Sequence, residues 1–277
     1  MSYAPEQGLI AALDSAAARV LLDCLSGVCD QFSFARLAQA GVSAGWRCLV
    51  VNAGNGSVAH WLSEATVSRG TVTATTSTPA YLPKHPEVAV TTPEFDPATL
   101  THGPFELVHA RLPLHGPHTQ GALVTALASR LTPGGVLVVE SFDFRPCVLL
   151  ASPEPAASEI YERYQIALLE VLAADRSPEL AAIELPAAFI GAGLVGVDVA
   201  VHARSWAGGT AGAKLHVVLL AALHDRLLAA GMPADELHRL RQLLADPPTL
   251  VLGRPIFSVI GRRTRTPDVF EHLEGRP

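Results

Sequence analysis

An α/β fold built on a mostly parallel sheet covered on both faces is predicted by three features of the sequence. Short runs rich in Val, Leu and Ile recur along the chain and are apolar almost throughout, as strands buried on both faces require. They alternate with segments whose apolar residues return at helical spacing. One run, CLVVNAGNG, ends in glycines and feeds directly into a helical pattern, SVAHWLSEA.

The chain has 277 residues, enough for one elaborated domain or two small ones at ~150 residues each. Apolar residues make up 49%, charged residues 17%, and mean hydropathy is +0.30. Such a composition excludes disorder and fibres. Twenty basic residues against 26 acidic ones give a net charge of −6, with no Lys/Arg run able to track a phosphate backbone, so nucleic acid is not an expected partner.

Taken in order, residues 8–41 are Ala/Leu-rich, with Leu13, Ala17, Val20, Leu21 and Cys24 at helical spacing and a second short pattern around Phe32 to Leu37, which predicts two or three helices. Strands are then predicted at the apolar run CLVV that leads into the glycines, and at 71–75, 87–91, 105–110 and 135–142, the last preceded by a helix over 119–131. Beyond Asp143 a Pro-rich bridge (Pro146, Pro153, Pro155) leads to an amphipathic helix over 157–173, then a helix at LPAAFIGAG and a strand at 195–203. Leu215, Val218, Leu219 and Ala222 mark a helical insert, 234–245 a further helix, and PIFSVIGRR (255–263) a last strand. Seven strands result, the final two forming an antiparallel edge pair. The expected division is an N-terminal helical segment 1–44, a sheet domain 45–264 with inserts at about 146–190 and 205–250, and a loose tail 265–277.

The opening MSYAPEQ lacks the basic and apolar regions of a signal peptide, and no stretch of ~18 apolar residues runs without charge or Pro, so a cytoplasmic protein with no membrane span is expected. Cys24, Cys29, Cys48 and Cys147 form no C-x2-C pair and read as buried free thiols. Low charge and high apolarity point to a surface covered by a partner subunit, in a homo- or hetero-oligomer, or by added helices.

The ordered strings GWRCLVVNAGNGSVAHWLSE, GTVTATTSTPAYL, FELVHARLPLH and LTPGGVLVVESFD resemble those of class I S-adenosylmethionine-dependent methyltransferases, in particular small-molecule enzymes of actinobacterial type. The resemblance covers about residues 8–145 and implies a Rossmann-like seven-stranded, mostly parallel sheet with an antiparallel edge strand and a C-terminal helical lid. It also implies a cofactor site at Val50, Asn52, Gly54, Gly56, Thr76 and Thr92. There the family carries an acid where this chain has Val50, a glycine where it has Asn52, a ribose-binding acid at Thr76 and an adenine-capping Asp at Thr92.

Three acids have become uncharged residues. A carboxylate accepting from ribose hydroxyls or a cationic amine contributes roughly 1.5–3 kcal/mol. With half of that recovered through water, three losses amount to about 3 kcal/mol, or a hundredfold in affinity. Asn52 adds bulk where backbone approaches the ligand. These changes imply a lost or remodelled cofactor site.

His109, Arg111 and, further on, His115 and His118 follow the fourth strand, at the sheet edge where open α/β sheets bind ligands. His109 and Arg111 also belong to the family's own H-A-R string, which implies scaffold residues that fix the loop, with Arg111 paired to an acid. His115 suits a general base. Glu140 and Asp143 end the fifth strand and serve either as base or as caps of the next segment. His216, His224 and His238 are too widely spaced for a metal site, and none is expected.

The expected function is that of a methyltransferase-fold protein of small-molecule, specialised metabolism without normal cofactor binding. It would be a non-catalytic partner of a homologous methyltransferase or a cofactor-independent catalyst such as a cyclase. The alternative is an active methyltransferase of a natural product, with S-adenosylmethionine as cofactor and His115 or Glu140 as base.

Overall fold

The computed structural model describes residue 13 and residues 15–67, 69–76, 79–91, 103–111, 120–173 and 182–265. The first element among the described residues, α1, is one continuous helix, Ser15–Gln39. From Ala17 onward, the two patterns that predicted separate helices fall on this element. Gly27 does not interrupt it, because a Cβ there would stand 2.9 Å from Ala211 Cβ: the glycine lets a second helix approach α1 closely.

The chain then alternates as predicted: β1 (Arg47–Val51), α2 (Ser57–Ala65), β2 (Thr71–Thr75), β3 (Val88–Thr91), β4 (Phe105–Arg111), α3 (Gln120–Ser129) and β5 (Leu131–Phe142). There follow β6 (Leu149–Ala151), α4 (Ala157–Ala173), α5 (Leu185–Gly191), β7 (Val195–His202), β8 (Ser205–Ala207), α6 (Ala211–Ala222), α7 (His224–Ala229), α8 (Ala234–Ala245), β9 (Leu250–Leu252) and β10 (Ile256–Arg262). The main sheet has seven strands in the order β3-β2-β1-β4-β5-β10-β7. All neighbours from β3 to β5 are parallel, whereas β10 runs antiparallel to both β5 and β7. The antiparallel pair therefore stands at one edge, with β7 outermost.

Strand burial follows from helices on both faces. One apolar layer gathers Leu37, Cys48, Val50, Val58, Leu62, Leu107 and Val138 between the sheet and α1 and α2. The other gathers Leu49, Val108, Leu127, Leu137, Phe189 and Val259 under α3 and α5. A third joins α1, α4 and the insert helices α6 to α8 around Tyr161, Leu168, Leu220 and Leu240, reaching the sheet at Phe142 and Ile256. The insert thus packs over the end of β5, as a lid would. A second sheet, β6-β9-β8, ties the ends of the insert to the chain after β5. Its three-residue strands carry too little periodicity to be seen in sequence.

All four cysteines are free and buried. Burial pushes the Cys29 and Cys48 thiols up to about 12, so neither is a nucleophile at neutral pH. Among the described residues no helix is long and apolar enough to cross a membrane.

Candidate active site

The strand order reverses between β1 and β4, since the chain leaves β1 toward β2 and β3 on one side and returns to β4 and β5 on the other. The carboxyl ends of those two strands open the crevice in which such sheets take ligands. Residues 52–56 line it from β1, and Arg111 from β4. Thr92, His115 and His118 lie outside the described residues.

The glycine loop is closed on itself and on α1. Asn52 adopts φ 57°, the left-handed region that Asn tolerates better than most residues. Its backbone N–H donates to Thr75 Oγ1 at 3.4 Å, and its side-chain Nδ2 reaches across to the carbonyl of Arg111 at 3.4 Å, bridging the ends of β1 and β4. The Ala53 N–H donates to the Thr75 carbonyl at 2.9 Å. Asn55 is clasped by the helix: its Oδ1 accepts from Ser26 Oγ at 2.7 Å and from the Ser57 N–H at 3.4 Å, while its Nδ2 donates to Asp23 at 3.1 Å. Above Gly54, a Cβ would sit 3.7 Å from Leu22, a buried side chain of α1; beside Gly56, it would meet Leu82 at 2.5 Å.

Two expected cofactor positions are buried. Val50 pairs in register with His109 and is 1% exposed inside the apolar layer. Thr76 follows β2 and is 2% exposed.

His109, Arg111 and Glu140 do come together. His109 and Arg111 are two residues apart on β4 and so face the same side, and Glu140 on β5 lies in register with Arg111. That side faces α1. Arg111 donates to Asp30 at 2.5 Å, to Ser33 Oγ at 3.3 Å and to Ser57 Oγ at 3.4 Å, and Ser57 Oγ donates to Asp30 at 2.9 Å. The acid paired with Arg111, left unnamed by sequence, is Asp30. Glu140 Oε2 accepts from Ser33 Oγ and lies 3.3 Å from His109 Nε2, all three residues being fully buried. Burial would raise the Glu140 pKa; hydrogen bonds to His109 and Ser33 and the charge of Arg111 outweigh it and hold the carboxyl below the usual range. Further along the helix, Arg36 binds Ser258 Oγ at 3.2 Å and pairs with Asp198 at 2.6 Å.

A polar stripe on α1, Asp23, Ser26, Asp30, Ser33 and Arg36, thus meets a polar row on the sheet. Sequence reading missed it, although polar residues at helical spacing on an Ala/Leu-rich helix were its signal. Within the row, His109 Nδ1 and Glu140 Oε1 are buried and unpartnered. Asp143 takes the capping alternative: it accepts from the Arg145 N–H at 3.0 Å and from the Arg145 guanidinium at 2.7 Å. No group of three or more His, Cys, Asp or Glu able to hold a metal ion occurs among the described residues.

No protein-family profile and no curated protein matches the chain. Solved structures do. A protein described as a methyltransferase of an antibiotic biosynthesis pathway from Anabaena variabilis is 15% identical, with 82% of this chain and 96% of that one covered and a TM-score of 0.51. One described as a methyltransferase from Bacillus halodurans is 13% identical over 83% and 98% of the two chains, with a TM-score of 0.50. The [4+2]-cyclase SpnF is also similar, at 15% identity over 81% and 77%, with a TM-score of 0.42. With the strand order and crevice described above, this likeness means that the chain has the class I methyltransferase fold.

Proposed function

We propose that this methyltransferase-fold protein acts on a small molecule without taking up S-adenosylmethionine in the family's manner, as a cofactor-independent catalyst such as a cyclase. The observation that carries the reading is the closure of α1 on the glycine loop. Asn55 is held by Asp23 and Ser26, Gly54 is covered by Leu22, and Asn52 spans β1 and β4. The backbone that would approach a cofactor approaches a helix of its own chain instead. At the end of β2 stands Thr76, buried and uncharged, where a ribose would need a carboxylate. This donor set does not fit the cofactor. Catalysis would then rest on confinement: holding reacting atoms of one substrate in a near-attack geometry removes an entropic barrier without any added group.

A second reading, the non-catalytic partner of a homologous methyltransferase, is favoured by the outermost strand. Val195, Val199 and Val201 on β7 are 48%, 41% and 53% exposed, with Ile190 of α5 at 67%. Unpaired strand edges with apolar side chains invite another chain.

Isothermal titration with S-adenosylmethionine and S-adenosylhomocysteine to millimolar concentration tests the proposal. No heat and no thermal shift are expected. Binding tighter than about 50 μM (about 6 kcal/mol) would overturn it and leave an active methyltransferase as the reading. A protein that aggregates alone and becomes soluble only with a co-expressed methyltransferase would decide for the partner role.

A further inference from the structure

The main sheet ends at β7, whose inner edge pairs with β10 and whose outer edge pairs with no strand among the described residues. Folded proteins guard such an edge with lysines, prolines or bulges, or keep it very short. The β7 sequence, VGVDVAVH, has eight residues and no lysine, arginine or proline. Its register shift against β10 falls ahead of Asp198, and from Asp198 to His202 the pairing is unbroken.

Along that regular stretch side chains alternate between the two faces of the sheet. Val199 lies beside Val259 on the face covered by α3 and α5, and Val201 shares that face; both remain exposed, as does Ile190 of α5. Asp198 and His202 lie on the opposite face, toward α1. Arg36 of α1 pairs with Asp198 at 2.6 Å, and Phe32 stacks on His202 with ring centroids 5.1 Å apart. The ion pair does not cover the acid, whose side chain stays 51% exposed.

These two rows select the partner. A second copy related by a twofold axis perpendicular to the sheet lays its β7 antiparallel against the first. Such an axis keeps each face on its own side, so valines meet valines and polar side chains meet polar ones. The possible registers then differ in charge. Centring the pair on Asp198 sets two carboxylates against each other, which is destabilising. Centring it on Val199 leaves Asp198 opposite Ala200. Centring it on Ala200 places Asp198 opposite His202 twice, a carboxylate against an N–H donor, and Val199 opposite Val201 twice. A different chain would have to carry a matching acid and donor on its own edge, whereas a copy brings both. We infer that β7 is the surface on which two copies of this chain join edge to edge, with Ala200 at the twofold axis and the two seven-stranded sheets continuous. The inference goes beyond the small-molecule reading above and does not rest on it.

Sedimentation equilibrium of the natural protein at about 20 μM is expected to give twice the 29.1 kDa mass of one chain. Val201→Lys, a change at an exposed position, should weaken association roughly tenfold or more. Ala200→Cys should form a disulfide-linked dimer on mild oxidation, because residues directly opposite in an antiparallel pair bring their Cα atoms to about 4.5–5.5 Å. Val199→Cys should not, since Val199 faces Val201 of the copy. The four natural cysteines are buried and do not compete. A monomeric natural protein, one that becomes soluble only with a different chain, a dimer that Val201→Lys leaves intact, or failure of Ala200→Cys to cross-link would overturn the inference. The mass of the natural protein needs no variant, so that arm stands even if a substitution prevents folding.

Discussion

The row under α1 and the cluster under the insert are both buried and both polar, yet they satisfy their groups in opposite ways. Under α1, charge answers charge: Arg111 with Asp30, Arg36 with Asp198, and a carboxylate at Glu140 held ionised by its neighbours. Beneath the insert, His216 of α6 stands between Tyr161 and Tyr164 of α4, each tyrosine Oη 3.2 Å from one ring nitrogen, and burial keeps all three groups neutral. A neutral imidazole has one N–H and one lone pair, so one tyrosine donates to the ring and the other accepts from it, with its own O–H proton to spare. Each cluster also keeps buried groups without a partner, His109 Nδ1 and Glu140 Oε1 in the ionised row and Gln165 Nε2 beneath the insert, so the contrast between them is one of charge.

The largest effect should come from breaking the ionised row. Arg111→Met leaves Asp30 and Glu140 without their shared cation, and a loss of about 3–5 kcal/mol is expected in urea unfolding. Asp30→Asn should cost less, and the double variant less than the sum, since both remove the same pair. Additive costs would mean that the pair is not coupled.

The two regions should also separate by pH. His216 has a folded pKa of about 3 against an ordinary value of 6.5, so the unfolded chain binds the proton first. Its contribution is present above pH 6.5 and is lost as pH falls through that value toward 3. The folded pKa of Glu140 is depressed, so its contribution is present above the ordinary carboxylate range, near 4.5, and is lost only as pH falls below it. Stability measured from pH 7 to 5 should fall in the natural protein and stay flat in His216→Gln. A variant that keeps the slope would assign it to another group.

Smaller effects sharpen the neutral cluster. Tyr161→Phe and Tyr164→Phe should differ: one loses a hydrogen bond at about 1 kcal/mol, while the other removes an unpaired donor and is neutral or stabilising. Thermal melts of the two variants check this, and equal losses would contradict the proton count. The smallest change is expected from Asn52→Gly, which relieves a left-handed backbone but gives up the Nδ2 bond to Arg111, for a net shift under about 1 kcal/mol in the same melts.

The strands were legible because a sheet covered on both faces leaves apolar runs whatever covers it, and β2 begins and ends where the pattern placed it. The meeting of His109, Arg111 and Glu140 followed from strand register once β4 and β5 were neighbours. Two runs of helical spacing over 8–41 were read as two or three helices; among the described residues, the pattern from Ala17 and that around Phe32 to Leu37 lie on the one helix α1. Val50 was weighed as a cofactor position, and the structure places it in the layer beneath α1 and α2.

Sequence by itself determined the seven strands of the main sheet and the glycine loop, because each is local or written in the spacing of one residue type. Only tertiary structure decided that Asp23, Ser26 and Asp30 close on that loop, and that His216, forty-three residues past α4, stands between Tyr161 and Tyr164. A polar side chain in a sequence has no partner until the fold brings one. Whether it then ties two elements together or stays unpartnered depends on groups far away along the chain.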